Sequence, residues 1–173
     1  MIAPPRNLHL TPPDARRAGL VVVGAADHPG LGDLCLSFAE QGYEVRATPP
    51  DGIAAAVQAL AGPVVLLSIG EGAVAALTAA GRLPQIAAVS LFEAPLAAFA
   101  AGSERPTIAH FALGAGVSLE MLDDLRERWP ALAVYPYATE PDFIFGDGDA
   151  ARLARLRTLQ LFHRAGGKAE MGG

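Results

Sequence analysis

The hydrophobic positions of this chain form short continuous runs that alternate with stretches in which apolar residues recur at helical spacing. Six runs have the length and the β-branched content expected of strands. They lie near residues 20–25, 44–47, 63–69, 87–92, 108–113 and 132–136. Several are apolar throughout, as expected when helices cover both faces of a parallel sheet. The pattern predicts a three-layer α/β/α fold around a mainly parallel six-stranded sheet.

The stretches between these runs predict five helices. One carries Leu31, Leu34, Cys35 and Phe38 and is expected to end before Gly42. Another is expected to bury Met121, Leu122 and Leu125 behind a Ser118 cap, and the last to turn Leu153, Leu156, Leu159 and Phe162 towards the sheet. These two helices are predicted at about 118–128 and 149–164. The remaining two are predicted at about 52–60 and 72–81.

The chain is expected to form one domain between two terminal segments. A length of 173 residues with 51% hydrophobic content fits a single core, which we place at 19–165. Residues 1–18 are proline-rich and are expected to lie over the surface as an N-terminal extension, with Leu8–Leu10 as a further strand candidate. Residues 166–173 are glycine-rich and polar, which predicts a flexible tail.

Composition and charge exclude several classes of function. The charged fraction is 18% and the formal net charge is −5, so no basic field is available for nucleic acid or an anionic membrane. The apolar runs are too short to span a bilayer, and the first residues lack a signal-peptide pattern, so a cytoplasmic protein is expected. The lone Cys35 and the scattered histidines supply no zinc spacing, and we expect no metal and no cofactor.

The segment 64–73, Val-Val-Leu-Leu-Ser-Ile-Gly-Glu-Gly-Ala, reads as a strand, a sharp turn and a helix start. This is the layout of a nucleophile elbow, usually written G-x-S-x-G. Aligned on Gly72, the motif places Gly70 where the reactive serine or cysteine would stand. Glycine adopts strained backbone geometry without a Cβ penalty, so the corner can persist without its side chain. The alternative is an ordinary loop glycine after a strand.

From Gly19 to about Gly166 the order of such segments resembles the dienelactone hydrolase family, a branch of the α/β-hydrolases. Each segment is a weak match alone, and their order makes the resemblance more specific. The matching segments are 19–23 with 29–31, Phe-Ala-Glu-Gln-Gly-Tyr at 38–43, the elbow at 68–73, the strand at 88–92, Tyr-Pro-Tyr-Ala through Phe at 135–143, and the closing helix around 157–162.

The resemblance implies a catalytic triad whose three positions hold inert residues here. Its nucleophile would fall on Gly70, its acid on Val117 and its histidine on Pro141. Hydrolysis by this route needs a nucleophile, a base and an orienting carboxylate. Three independent departures indicate that the chain has lost this route of catalysis. The segment at 48–51 is also shorter than in the family, which predicts a shallow or open pocket.

Candidate polar residues follow the predicted strands, where an α/β sheet places its crevice. Ala26, Asp27 and His28 come after the first strand, and a solvated loop pair or a helix cap is the alternative role for the latter two. Four carboxylates are expected in the same crevice, where they bind a cation or an amine or are simply solvated strand ends: Glu71, Glu93, Glu140 and Asp142. His110, within a strand, is expected to be a hydrogen-bonded interior residue.

Three functional hypotheses follow. The first is a catalytically inactive descendant that binds an unidentified small molecule or protein partner, with a homodimer as one form of association. The second is an active hydrolase of esters or lactones in which Asp27, His28, Glu71 or Glu93 activates water. The third is a flavodoxin-like nucleotide-binding module, which is disfavoured because neither a G-x-G-x-x-G nor a Walker motif follows a strand.

Overall fold

A computed structural model describes residues 8–12, 17–114 and 116–166. Its described strands form a seven-stranded sheet in the order β1-β3-β2-β4-β5-β6-β7, in which the pairing of β1 with β3 is antiparallel and the remaining pairings are parallel. The strands are β1 (Leu8–Leu10), β2 (Ala18–Val23), β3 (Tyr43–Thr48), β4 (Val64–Ile69), β5 (Ile86–Phe92), β6 (Thr107–Ala112) and β7 (Ala133–Tyr137).

The six predicted strands are present as β2 to β7, and the prediction of a six-stranded sheet is wrong by the addition of β1. Leu8 and Leu10 pack against the core, while His9 between them faces outward and lies 2.9 Å from the Glu44 carboxylate. Three residues are too few for alternation to identify a strand with certainty. Within the predicted N-terminal extension, this short strand closes one edge of the sheet.

Helices cover both faces of the sheet, which confirms the three-layer α/β/α fold class. The apolar residues of α1 and α5 pack on one face, and those of α2, α3 and α4 pack on the other. The helices are α1 (Leu31–Ala39), α2 (Ile53–Gln58), α3 (Ala73–Arg82), α4 (Leu119–Arg128) and α5 (Asp149–Gly166). None of the helices in the described ranges is long and apolar enough to cross a membrane.

The predicted buried stripe of α5 is wrong in its phase. Leu153 and Leu156 are 41% and 52% exposed, whereas Phe162 is buried as expected. The face against the sheet consists of Ala151, Ala154, Thr158 and Phe162. Small side chains at three of these positions let the helix lie close to the strands, so that the larger leucines are excluded from the contact.

The predictions for the buried face of α4 and for the end of α5 are correct in part. On α4, Leu122 and Leu125 are buried and the Ser118 hydroxyl caps the helix by accepting from the Met121 N–H, but Met121 itself is 40% exposed. The final helix continues to Gly166, where a Cβ would lie 3.0 Å from the Cβ of Ala18. Gly166, predicted as the first residue of the tail, therefore belongs to the last helix, and residues 167–173 lie outside the described part of the chain.

Candidate functional site at the carboxyl edge of the sheet

The turn after β4 has the geometry of a sharp strand-to-helix corner. Strand β4 ends at Ile69, residues Gly70–Gly72 form a single 3₁₀ turn, and α3 begins at Ala73. Gly70 has a φ of +62°, in the left-handed region that side chains disfavour. At Gly72 a Cβ would lie 2.9 Å from the Ser68 hydroxyl oxygen. Strand and helix can therefore approach this closely only with glycine at 72.

In front of Gly70 the corner is open. A Cβ built on Gly70 has no atom within 4 Å among its described neighbours, so the position has room for a side chain that the chain does not supply. Ser68, the nearest hydroxyl along the chain, is buried within β4 and its oxygen has no hydrogen-bond partner among the described residues. Its location in the strand interior, away from solvent, does not suit a displaced nucleophile.

The loop after β2 crosses beside this corner. Gly24 has a φ of +90°, and a Cβ there would lie 2.6 Å from the Ile69 carbonyl oxygen, so the ends of β2 and β4 are in direct contact. Ala25 follows with a φ of 54°. Ala26 is partly buried and Asp27 is exposed. The backbone after β2 is thus held next to the position that a nucleophile would occupy.

His28 is fixed in this loop by two contacts. Its Nδ1 accepts a hydrogen bond of 3.0 Å from the Gly30 N–H, and its ring stacks on Phe145 with centroids 3.7 Å apart. An Nδ1 that accepts leaves the proton of the neutral ring on Nε2. Phe145 belongs to a 3₁₀ turn, Phe143–Phe145, in the loop after β7. The stacking therefore joins the first loop of the crevice to the last.

Glu93, the residue directly after β5, is hydrogen-bonded to the same loop after β7. Its Oε2 accepts a hydrogen bond of 2.7 Å from the Asp142 N–H. Burial raises the pKa of Glu93, the hydrogen bond from Asp142 partly offsets this, and the nearby Asp142 charge raises the pKa further. Its φ of 53° and that of Asp142, 61°, are both in the left-handed region.

Backbone strain is concentrated at this edge. Among the described residues, the non-glycine positions with positive φ are Ala25, Glu93 and Asp142. Each such residue costs on the order of 1–3 kcal/mol and persists only where its surroundings enforce it. All three follow strands β2, β5 and β7, around the corner at Gly70. Clustering of this kind is typical of functional sites.

The predicted site residues divide into those that the structure brings together and those that it does not. Glu93 and Asp142 form one unit, and His28 is fixed nearby by Phe145. The structure gives the side chains of the exposed carboxylates Asp27, Glu71 and Glu140 no hydrogen bond or ion pair within the described ranges. In the same part of the chain, no group of three or more His, Cys, Asp and Glu side chains could hold a metal ion.

The other two predicted triad positions also lack reactive groups. Val117 is partly buried and packs against the core cluster under α4, and its carbonyl oxygen accepts from the Gly114 N–H. Pro141 is exposed in the loop after β7, immediately before Asp142. Sequence reasoning missed Ala25 and Phe145. An alanine has no signal for left-handed backbone, and the aromatic residue is indistinguishable from core residues by pattern.

A second group of polar side chains lies inside the protein and is fully paired. The ring nitrogens of His110 lie 2.9 Å from the Tyr137 hydroxyl and 3.1 Å from the Thr158 hydroxyl, which in turn lies 2.9 Å from that of Ser90. Burial and the nearby Arg157 charge lower the pKa of His110 to about 3. The prediction of an interior, hydrogen-bonded His110 is confirmed, and its burial excludes direct contact with a substrate.

Comparison of the folds identifies the class of architecture. Neither a protein-family model nor a curated protein matches this chain. Among solved structures, a candidate dienelactone hydrolase from Klebsiella pneumoniae superposes with a TM-score of 0.74 at 16% identity, over 91% of this chain and 92% of that one. An esterase domain from Rhodothermus marinus gives 0.69 at 15% identity, over 90% and 91%. An esterase from Pyrococcus furiosus gives 0.71 at 10% identity, over 93% and 91%.

The chain therefore has the α/β-hydrolase fold, as the order of its segments predicts. Its similarity to the dienelactone hydrolase structure extends over nearly all of both chains, so the small size reflects a compact form of the fold shared with that protein. Identities of 10–16% establish the fold alone. Function has to be argued from the site.

Proposed function

We propose that this protein binds a small carbonyl-containing molecule in the crevice around Gly70 and does not hydrolyse it. The observation that carries the proposal is the corner itself. Gly70 keeps the strained backbone of a nucleophile elbow, with φ +62° and open space in front of it, but has no side chain to attack a substrate. A corner that still presents its backbone to solvent can bind a ligand without forming a covalent bond to it.

The backbone around the corner suits a carbonyl or carboxylate oxygen. In this fold the N–H after the nucleophile and an N–H from the loop after the earlier strand stabilise an oxyanion. The corresponding groups here are the amide of Glu71, at the start of a 3₁₀ turn leading into α3, and those near Ala25 and Ala26. The helix dipole adds a favourable field at the same point. Esters, lactones and carboxylic acids share the required oxygen.

The test combines turnover with binding. The wild-type protein is expected to show no hydrolysis of p-nitrophenyl acetate or butyrate above the buffer rate. Titration with γ-butyrolactone and with its ring-opened acid is expected to shift the backbone amide resonances of Ala25, Ala26 and Glu71 in NMR spectra. Enzymatic turnover of the esters would contradict the inactive assignment. Absence of shifts at these amides with either ligand would contradict this ligand class.

A matched pair of variants locates the binding. Gly70→Leu fills the open space at the corner, and binding is expected to weaken by at least about tenfold, equivalent to ~1.4 kcal/mol. Gly62→Leu is the control, because Gly62 also has a positive φ, +79°, and nothing within 4 Å of its Cβ position, but lies before β4. Equal losses in the two variants would show that backbone strain, and not occupancy of the crevice, is responsible.

An active hydrolase with unconventional residues is the second candidate, because the His28 Nε2–H can donate to a substrate carbonyl oxygen and Glu93, whose pKa is raised, can act as the base beside the same crevice. In that mechanism a crevice base removes a proton from water as the water attacks the ester carbonyl. Ester turnover that disappears in His28→Ala would support it. The homodimer expected from the sequence stays a prediction, which sedimentation velocity measures.

A further inference from the structure

A separate cavity of about 200 Å³ lies on the flank of the sheet, between β6, β7 and the last turns of α5. It is formed near the first residues of the two strands, around Thr107 and Ala133, and is therefore far along the strands from the corner at Gly70. Strand β7 is the edge of the sheet, so the cavity opens to solvent beside α5. The candidate functional site described above shares none of its lining residues.

Two arginines supply all of the charge among the described residues that line this cavity. Arg157 and Arg164 are two helical turns apart on α5 and line it together, and none of the other lining residues is acidic. Within the described part of the chain, no carboxylate lies within ion-pair distance of either guanidinium. The chain carries 18 acidic and 13 basic residues, so an uncompensated pair of arginines runs against its overall charge. A larger cavity, of about 620 Å³, has both Arg128 and Glu104 in its lining.

Arg157 is held in place before any ligand arrives. Its Nη1 donates a hydrogen bond of 3.0 Å to the Tyr137 hydroxyl, and its Cζ lies 3.9 Å from the centre of the Tyr135 ring. An aromatic face and a neutral hydroxyl orient the guanidinium without neutralising it. Fixing the side chain in advance reduces the conformational entropy that binding would otherwise cost. The remaining N–H groups of Arg157 stay available to an anion.

Further hydrogen bonds behind Arg157 fix the position of the Tyr137 hydroxyl that accepts from it. Arginine can only donate, so the Tyr137 hydroxyl accepts from it and can give its own proton to His110 Nδ1. His110 Nε2–H then donates to Thr158, which donates to Ser90. In this arrangement the interior cluster supports the cation from inside the protein. Arg164 sits at the outer end, where its Nε donates to the Gln160 carbonyl oxygen at 3.1 Å.

We propose that this cavity binds a phosphate group, as inorganic phosphate or as a small phosphomonoester. Two guanidinium groups with no counter-charge among the described residues match a dianion, and arginine donors fit phosphate oxygens with paired hydrogen bonds. The volume of about 200 Å³ matches a phosphate group or a small phosphomonoester. The site is independent of the crevice at Gly70 and does not rest on the function proposed for it.

The experiment compares phosphate with chloride at equal ionic strength, using isothermal titration calorimetry on the full chain. Wild-type protein is expected to bind phosphate saturably, and Arg164→Gln to weaken binding by about tenfold, the factor expected for one charge-assisted hydrogen bond. Arg152→Gln is the matched control, because Arg152 is exposed on the same helix but pairs with Asp149 outside the cavity. Its affinity should equal that of the wild type.

Further arms separate the alternatives. Glycerol phosphate that binds more tightly than inorganic phosphate would identify a phosphomonoester as the ligand, and the reverse would identify the free ion. Gly70→Leu should leave phosphate affinity unchanged, so failure of the crevice proposal would not affect this one. Equal affinities of Arg164→Gln and Arg152→Gln, or no saturable binding by the wild type, would overturn the proposal.

Discussion

The crevice around Gly70 and the interior cluster around His110 each contain a histidine and other polar side chains, but the two regions are in opposite physical states. In the crevice the backbone is strained at Ala25, Glu93 and Asp142, and most of the predicted carboxylates are solvent-exposed and have no ion-pair partner among the described residues. Around His110 the side-chain hydroxyls and ring nitrogens have partners at 2.9–3.1 Å, and exposure is 0% for His110 and Thr158. Strain and exposure belong to the first region, and satisfied hydrogen bonds to the second.

This difference shows how to distinguish a binding site from a structural cluster in a chain that has a histidine and other polar side chains in both regions. Buried polar groups with complete hydrogen bonding stabilise one packing arrangement. Strained backbone at the carboxyl ends of strands has no such benefit and must be enforced by its surroundings. We therefore propose ligand binding in the crevice, although the histidine whose pKa burial lowers to about 3, His110, is in the interior.

The largest expected effect is a loss of stability on substitution of a glycine in the crevice. Gly24→Ala puts a Cβ 2.6 Å from the Ile69 carbonyl oxygen at a φ of +90°, and should lower the free energy of unfolding by about 3 kcal/mol or more. Gly62→Ala, with a φ of +79° and open space, should cost only about 1 kcal/mol. Urea denaturation measures both. Similar losses would show that close contact at the end of β2 does not add to the backbone strain.

An intermediate effect tests the interior cluster through pH. The pKa of His110 is about 3 in the folded protein and 6.5 ordinarily. Between these pH values the unfolded chain binds a proton at this residue and the folded chain does not. Stability from this residue is complete above about pH 6.5 and falls as the pH drops towards 3. The wild type should lose up to ~1.4 kcal/mol per pH unit more than His110→Gln over that window.

His163 also has a lowered pKa, but it is present in both proteins of this comparison, so its contribution cancels. Urea titrations at several pH values between 7 and 4 give the two slopes. Parallel slopes for wild type and His110→Gln would mean that the imidazole is not kept neutral by its burial.

The smallest expected effect concerns Glu93. Burial raises the pKa of this carboxyl, so its ionised form destabilises the folded state at neutral pH. Glu93→Gln keeps an oxygen to accept from the Asp142 N–H and should raise the melting temperature slightly at pH 7, with the gain disappearing near pH 4. Glu140→Gln, an exposed residue of the same edge, is the control and should change little. A lower melting temperature for Glu93→Gln at pH 7 would contradict this balance.

Much of the fold could be predicted from the sequence because continuous apolar runs such as 64–69 have few other locations than a covered parallel strand. The corner could also be predicted, since Gly70 and Gly72 follow that run directly. The phase of α5 could not be predicted. Ala151 and Ala154 face the sheet in place of the larger leucines because the helix lies close to the strands, and the sequence does not give that distance. Contacts across the crevice, such as His28 with Phe145, join residues over a hundred positions apart and leave no local pattern.

Intact-protein mass spectrometry after incubation with a fluorophosphonate tests the central claim most directly, since the reagent phosphonylates an activated serine at such a corner. We predict that the mass of the wild-type protein stays unchanged at reagent concentrations that fully label an esterase of the same fold. A stoichiometric phosphonyl adduct on any residue of the crevice would show that a working nucleophile exists and would contradict the account.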